Sequence, residues 1–218
     1  MDFPRILKKR KGYIERIKPF MRKSVVKVLT GQRRVGKSFL LYQLIEEILG
    51  EEPNANIIYI NLEDFEFSSL QTAQDLHSYI ISQSHKKDKN YIFIDEIQDI
   101  PGFEKVIRSL LLNEDNDIYI TGSNANMLSG ELATYLSGRY IEFKIYSLSY
   151  LEFLEFHGLT DNEKSYELYS RYGGLPYLLN LPLEDETVNE YLKSVYSTIV
   201  FRDVVSRYKL RNTLFLEK

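Results

Sequence analysis

Two short stretches carry side chains whose types and spacing suit phosphate chemistry: Leu29–Leu40, LTGQRRVGKSFL, and Tyr91–Gln98, YIFIDEIQ. In the first, Gly31 is followed by Gln32, Arg33, Arg34 and Val35, then by Gly36, Lys37 and Ser38. That is the P-loop spacing G-x-x-x-x-G-K-[ST]. Glycines at its ends permit the backbone turns that aim successive N–H groups at phosphate oxygens. Lys37 is placed to reach the β- and γ-phosphates, and the Ser38 hydroxyl to ligate Mg²⁺. Gly31 through Phe39 are therefore the expected nucleotide-binding residues, with ATP or ADP and Mg²⁺ as the ligands.

In the second stretch an acid follows four apolar residues, the Walker B pattern, in which Asp95 would hold Mg²⁺. Glu96 comes next, a second carboxylate suited to orient and deprotonate an attacking water. A P-loop kinase has no need of such a base, and a GTPase would want an N-K-x-D motif, which this sequence lacks. The expected reaction is hydrolysis. Further along, Ser123 and Asn124 end a strand-like run, where a polar side chain could touch the γ-phosphate or the water, the sensor 1 role. Asn61, at the end of another such run, either holds Glu96 in an inactive pose or caps its own strand.

Such residues need a frame that brings strand tips together. "VVKVL", "IIYIN", "YIFI", "DIYITGS" and "YIEFKI" read as five short strands, and amphipathic helical stretches separate them. Strands alternating with helices imply parallel βαβ units, an α/β sandwich with ligands at the strand C-termini. From Ser147 the pattern turns wholly helical. The expected division is therefore an α/β core over 1–146, with a basic N-terminal helix, and a small helical segment over 147–218 that opens a C-terminal region.

Bulk composition limits the alternatives. The 218 residues are 44% hydrophobic and 27% charged, with a net charge of −3 and no cysteine. Disulfides, thiolate metal sites and cysteine nucleophiles are excluded. No apolar run approaches a membrane span, and the basic N-terminus lacks a signal peptide's apolar stretch. The cytoplasm is the expected compartment. His77, His85 and His157 show no ligand-like spacing. Ten basic residues crowd positions 1–27 against Asp2 and Glu15. Either they form an electrostatic footprint for DNA, or they are the solvated face of a helix that buries Tyr13, Ile14, Ile17 and Phe20.

"TGQRRVGKS", "FIDEIQDIPGFE", "YITGSNANMLSGELATYLSGRY" and "YGGLPYLL" together make the chain resemble the prokaryotic AAA-type ATPases related to the STAND and archaeal-ATPase groups. The resemblance implies a sheet of order 5-1-4-3-2 followed by a helical lid. It also implies that Arg139, in "SGRY", takes the arginine-finger position and serves a neighbouring subunit. The alternative for Arg139 is a salt bridge with an acid such as Glu142. Gly174-Leu175-Pro176 corresponds to the lid motif near the adenine, with Pro176 lining the site; a plain helix start is the other reading. Bulky replacement of Gly174 is then expected to weaken nucleotide binding while leaving the apo fold intact. Such proteins usually continue into a winged helix and a further domain, so this sequence looks like the ATPase portion alone. Two rival functions stand beside hydrolysis: a nucleotide-gated switch with little turnover, and an ATP-dependent DNA-binding module. A protein partner is a further possibility.

Overall fold

In the computed structural model, which describes residues 8–85, 88–123, 135–136 and 138–199, the chain divides into two compact units, Met1–Tyr146 and Ser147–Lys218. The first is built on five strands: β1 (Val26–Thr30), β2 (Asn56–Asn61), β3 (Asn90–Asp95), β4 (Asn116–Gly122) and β5 (Tyr140–Lys144). Their order is β2-β3-β4-β1-β5, and every neighbouring pair is parallel. Read from the other edge, that is 5-1-4-3-2. β1, β3 and β4 are buried along their whole length, while the edge strands β2 and β5 are buried only in part. A strand covered on both faces has no solvent side, which is why these central strands read as apolar runs rather than alternating ones.

Successive strand residues point to opposite faces, and here the two faces differ in chemistry. One is aliphatic: Val26, Val28, Ile58, Ile60, Ile92, Ile94, Ile118 and Ile120 pack with residues of helices α3 (Ala73–Gln83) and α4 (Phe103–Leu110). The other carries Leu29, Tyr59, Tyr91, Phe93, Tyr119 and Phe143 against helices α1 (Lys11–Ile17) and α2 (Lys37–Glu51). Helices on both faces of a parallel sheet leave the strand C-termini open for a ligand. The helix α3 begins where its sequence says it should: Thr72 and Asp75 form a capping box.

The N-terminal helix takes the packed role. Ile14 and Ile17 are buried, and Tyr13 and Phe20 lie against the same core. Several charges of the basic stretch around this helix are spent inside the unit. Lys9 pairs with Glu46 and Glu47, Lys18 with Glu51, Arg22 with Glu51 and Glu52, and Lys27 with Asp117. Arg10 is buried and donates to the carbonyls of Val35 and Tyr146.

In the second unit, helices α5 (Tyr150–His157) and α6 (Glu163–Tyr172), a 3₁₀ turn at Pro176–Asn180 and helix α7 (Asp185–Ile199) follow one another. Phe153 and Phe156 cluster with Leu148, and Leu178 and Val188 with Tyr172. Gly174 is fixed by a close approach. A Cβ there would sit 2.2 Å from the Leu148 carbonyl oxygen, and its own carbonyl accepts from the Leu148 N–H at 2.7 Å. The expectation that a bulky residue at 174 would leave the apo fold intact is therefore corrected: backbone faces backbone there, and a side chain has nowhere to go.

Candidate active site

The P-loop leaves β1 at Thr30 and enters α2 at Lys37. Gly31 has φ +152°, and a Cβ on it would meet the Ile145 carbonyl oxygen at 2.2 Å, because the Ile145 N–H donates to the Thr30 carbonyl at 2.7 Å. The glycine is thus required by the passage of the chain leaving β5. Gly36 is left-handed at φ 92° and stands as the N-cap of α2. Within the loop Arg34 also takes a positive φ, 66°. No acid occupies the first turn of α2, so no carboxylate of the helix itself competes for its unpaired N–H groups and positive dipole end. Gln32, Arg34 and Phe39 are exposed and Val35 is buried. Arg33 reaches Glu63, beyond β2, at 3.4 Å.

Lys37 is buried, with 4% exposure, and its ammonium donates to the carbonyls of Gly31 and Gln32 at 3.1 and 3.2 Å. It also stands 3.6 Å from Glu96 Oε1. The Ser38 hydroxyl stands beside the Asp95 carboxylate and favours its charged form. The two sequence stretches thus meet through two pairs, Lys37 with Glu96 and Ser38 with Asp95. Burial pushes the Asp95 carboxyl above its ordinary range; the hydroxyls of Ser38 and Thr121 oppose that, and the Glu96 charge adds to it. A hydroxyl beside a carboxylate is a hard-oxygen pair of the kind Mg²⁺ takes together with water and phosphate oxygens. The residues fit that ion.

Glu96 sits at φ 56°, ψ 46°, one of three non-glycine residues with positive φ among those described. Holding a side chain there costs about 1–3 kcal/mol, and such strain clusters at functional positions. It is held from three sides. Its N–H donates to Thr121 Oγ1 at 3.0 Å, its Oε2 accepts from Gln98 Nε2 at 2.5 Å, and Lys37 faces its Oε1.

Three residues of this arrangement escape a motif search. Thr121, fully buried on β4, donates its hydroxyl to Asp95 Oδ1 while accepting from the Glu96 N–H. Tyr59, on β2, donates to Asp95 Oδ2 at 3.5 Å and bonds Tyr42 at 3.0 Å. Gln98 follows Glu96 by two positions. The signal for Thr121 was a buried polar residue two positions before Ser123; Tyr59 and Gln98 match no catalytic spacing.

Other expected residues are placed less directly. Ser123 lies just past the end of β4, partly buried. Asn124 lies outside the described residues. The Asn61 side-chain Oδ1 accepts from the Glu63 N–H at 3.1 Å, the geometry of a turn cap. Arg139 is exposed, and Glu142, offered as its salt-bridge partner, instead accepts from Thr30 Oγ1 at 2.5 Å. Pro176 opens the 3₁₀ turn of the second unit.

Sheet order, P-loop and strand-tip acids define a P-loop protein of the AAA type. Residues 23–154 match the family described as AAA domain, and the chain belongs to it. It is 38% identical over 215 residues to an uncharacterized protein of Haemophilus influenzae, covering 95% of this chain and 53% of that one. A second relative, the uncharacterized protein MJ1544 of Methanocaldococcus jannaschii, is 32% identical over 200 residues, covering 86% and 43% respectively. The chain thus spans about half the length of the curated relatives it matches. Among solved structures it is similar in fold to the Aeropyrum pernix ORC1 protein in complex with DNA, with a TM-score of 0.54, 14% identity, and coverage of 90% and 66%. Saccharomyces cerevisiae RIF2 gives 0.50, 13%, 90% and 84%. Among the described residues no helix is long and apolar enough to cross a membrane.

Proposed function

We propose that this chain is the ATPase portion of an AAA-type protein that binds and hydrolyses Mg²⁺-ATP and turns the cycle into a conformational change. The observation that carries this reading is the meeting of Lys37, at the end of the P-loop, with Glu96 Oε1 at 3.6 Å, at the tip of the strand that delivers Asp95. In this reading the Gly31–Phe39 loop cradles the phosphates. Lys37 leaves the loop carbonyls for the β- and γ-phosphates, and Ser38 and Asp95 hold Mg²⁺, whose charge helps neutralise the phosphates. Glu96, freed from Lys37, accepts a proton from the attacking water. Ser123, or Asn124 beside it in the sequence, senses the γ-phosphate. Arg139 serves the phosphate of a second copy. The cytoplasm is the compartment this activity suits.

The described state also supports a second reading, a nucleotide-gated switch, because both Glu96 oxygens face protein donors. A third reading, ATP-dependent DNA binding, draws on the likeness to DNA-bound ORC1, but Lys9, Lys18, Arg22 and Lys27 already face acids of the same unit.

The deciding experiment is steady-state ATP turnover of the wild type and Glu96→Gln, alongside nucleotide affinity. The amide keeps the shape but takes no proton, so binding is expected to persist while turnover falls by about two to four orders of magnitude. Equal turnover in the two proteins refutes the base assignment. Tight ADP binding with negligible wild-type turnover favours the switch.

A further inference from the structure

Gln98 has a placement that neither the P-loop nor the acid pair requires. It lies in the single 3₁₀ turn Ile97–Asp99, closed by the Asp99 N–H on the Glu96 carbonyl at 3.1 Å. Side chains two apart do not normally face one another along a helix. Here the left-handed conformation of Glu96 bends the chain, and the Gln98 amide returns onto the Glu96 carboxylate. Since Nε2 must donate to that carboxylate, the orientation of the amide is set by chemistry: its oxygen is directed elsewhere. That oxygen, Oε1, is buried and has no hydrogen-bond partner among the described residues. An orphaned buried acceptor costs about 1–3 kcal/mol. Native folds leave few of them, and those they leave invite a functional reason.

We infer that Gln98 is a second residue that positions the attacking water in the proposed hydrolysis. The inference rests on the reading of Glu96 as the base. Nε2 fixes the rotamer of Glu96, and Oε1 accepts one hydrogen of the water while Glu96 accepts the other. Two acceptors on the two hydrogens leave an oxygen lone pair directed at phosphorus. The balance is that of hydrolysis. The water oxygen bonds to the γ-phosphorus as the β–γ bridging bond breaks. The electron pair of that bond goes to the bridging oxygen of the departing ADP, and the water's proton goes to Glu96. Oε1 is closed to solvent here, so in the proposed cycle the water reaches it only as the site rearranges around ATP.

The test is a mutant cycle. Gln98→Met keeps length and volume but offers neither donor nor amide oxygen; Gln98→Glu keeps the shape and an acceptor but loses the donor and sets a like charge on Glu96. Each is expected to lower kcat about 10–100-fold, as loss of a group orienting a reactive one does. ATP affinity should stay near wild type in both, and the melting temperature near wild type in Gln98→Met, which removes an unpaired buried acceptor. In the Glu96→Gln background, Gln98→Met should cost little more, since residues acting as one unit are strongly non-additive. Unchanged kcat in both single variants, or full additivity in the double variant, overturns the role of Gln98 while leaving Glu96 in place. Equal turnover of wild type and Glu96→Gln is the distinct outcome in which the ATPase reading itself fails and takes Gln98 with it. Should Gln98→Met melt early, Gln98→Glu carries the same comparison.

Discussion

Lys37 shows how much a single residue decides. Its ammonium is nearly sealed from solvent, yet its partners are two loop carbonyls and one carboxylate at 3.6 Å. These are contacts an incoming phosphate could replace with stronger, charge-assisted ones. Lys37→Ala is expected to abolish measurable ATP binding in calorimetric titration, because the loop then offers only backbone dipoles to the β- and γ-phosphates. It also leaves Glu96 without its cation, so the melting temperature should move in the apo protein too. ATP binding of ordinary strength by this variant would remove the phosphate-cradle assignment. Glu96 and Gln98 are the complementary case: their loss is expected in rate rather than in affinity. The motif letters made Gly31, Lys37, Ser38, Asp95 and Glu96 legible before any fold was known, because each has a fixed task at a fixed spacing. Thr121, Tyr59 and Gln98 were not legible, because they reach the acids from neighbouring strands or through one left-handed residue, and neither is encoded as a spacing.

At the level of elements, the end of the sheet opposite the P-loop holds a fully buried ion pair. Lys27 on β1 and Asp117 on β4 are both fully buried and paired, with Asp117 also accepting from the Arg22 N–H and the Tyr119 hydroxyl at 2.7 and 2.8 Å. Burial lowers the Lys27 pKa, and Asp117 opposes that shift. Removing one member of such a pair leaves an uncompensated buried charge, at a cost of about 3–5 kcal/mol. Asp117→Asn is therefore expected to lower stability by that order in urea unfolding at pH 7. The pH dependence has a definite sign. Without Asp117, Lys27 is depressed further in the fold than in the unfolded chain, whose lysines titrate near 10.4. The unfolded chain then binds more protons between the two values, so stability rises with pH across that window. The deficit against wild type should shrink as the pH is raised toward 10; a constant deficit would show that the Lys27 charge is not what the variant exposes. The strands themselves were legible as apolar runs, but this pair was not: Lys27 read as one more charge of a basic arm until β1 was placed inside the sheet.

For the whole molecule the open question is whether one copy suffices. Arg139 sits just before β5, and its carbonyl accepts from the Val26 N–H at 2.9 Å. It therefore lies level with the start of β1, whereas the P-loop leaves from the end. At about 3.3 Å per residue the length of β1 sets its backbone roughly 13 Å from the loop. An exposed guanidinium at that end suits the phosphate of another copy better than its own, and an arginine supplied in this way is worth about three to five orders of magnitude in rate. The protein is then slow as a monomer, and its specific activity should climb with protein concentration. Arg139→Ala should bind ATP normally yet stay slow at every concentration. Mixing Arg139→Ala with Glu96→Gln is the sharper measurement, since each variant is expected to be slow alone. At one of the two kinds of mixed interface an intact arginine meets an intact base, so the mixture should recover part of the wild-type rate. Specific activity independent of concentration, with no recovery on mixing, would leave Arg139 a residue of its own subunit's surface and make each copy a complete, if slow, ATPase.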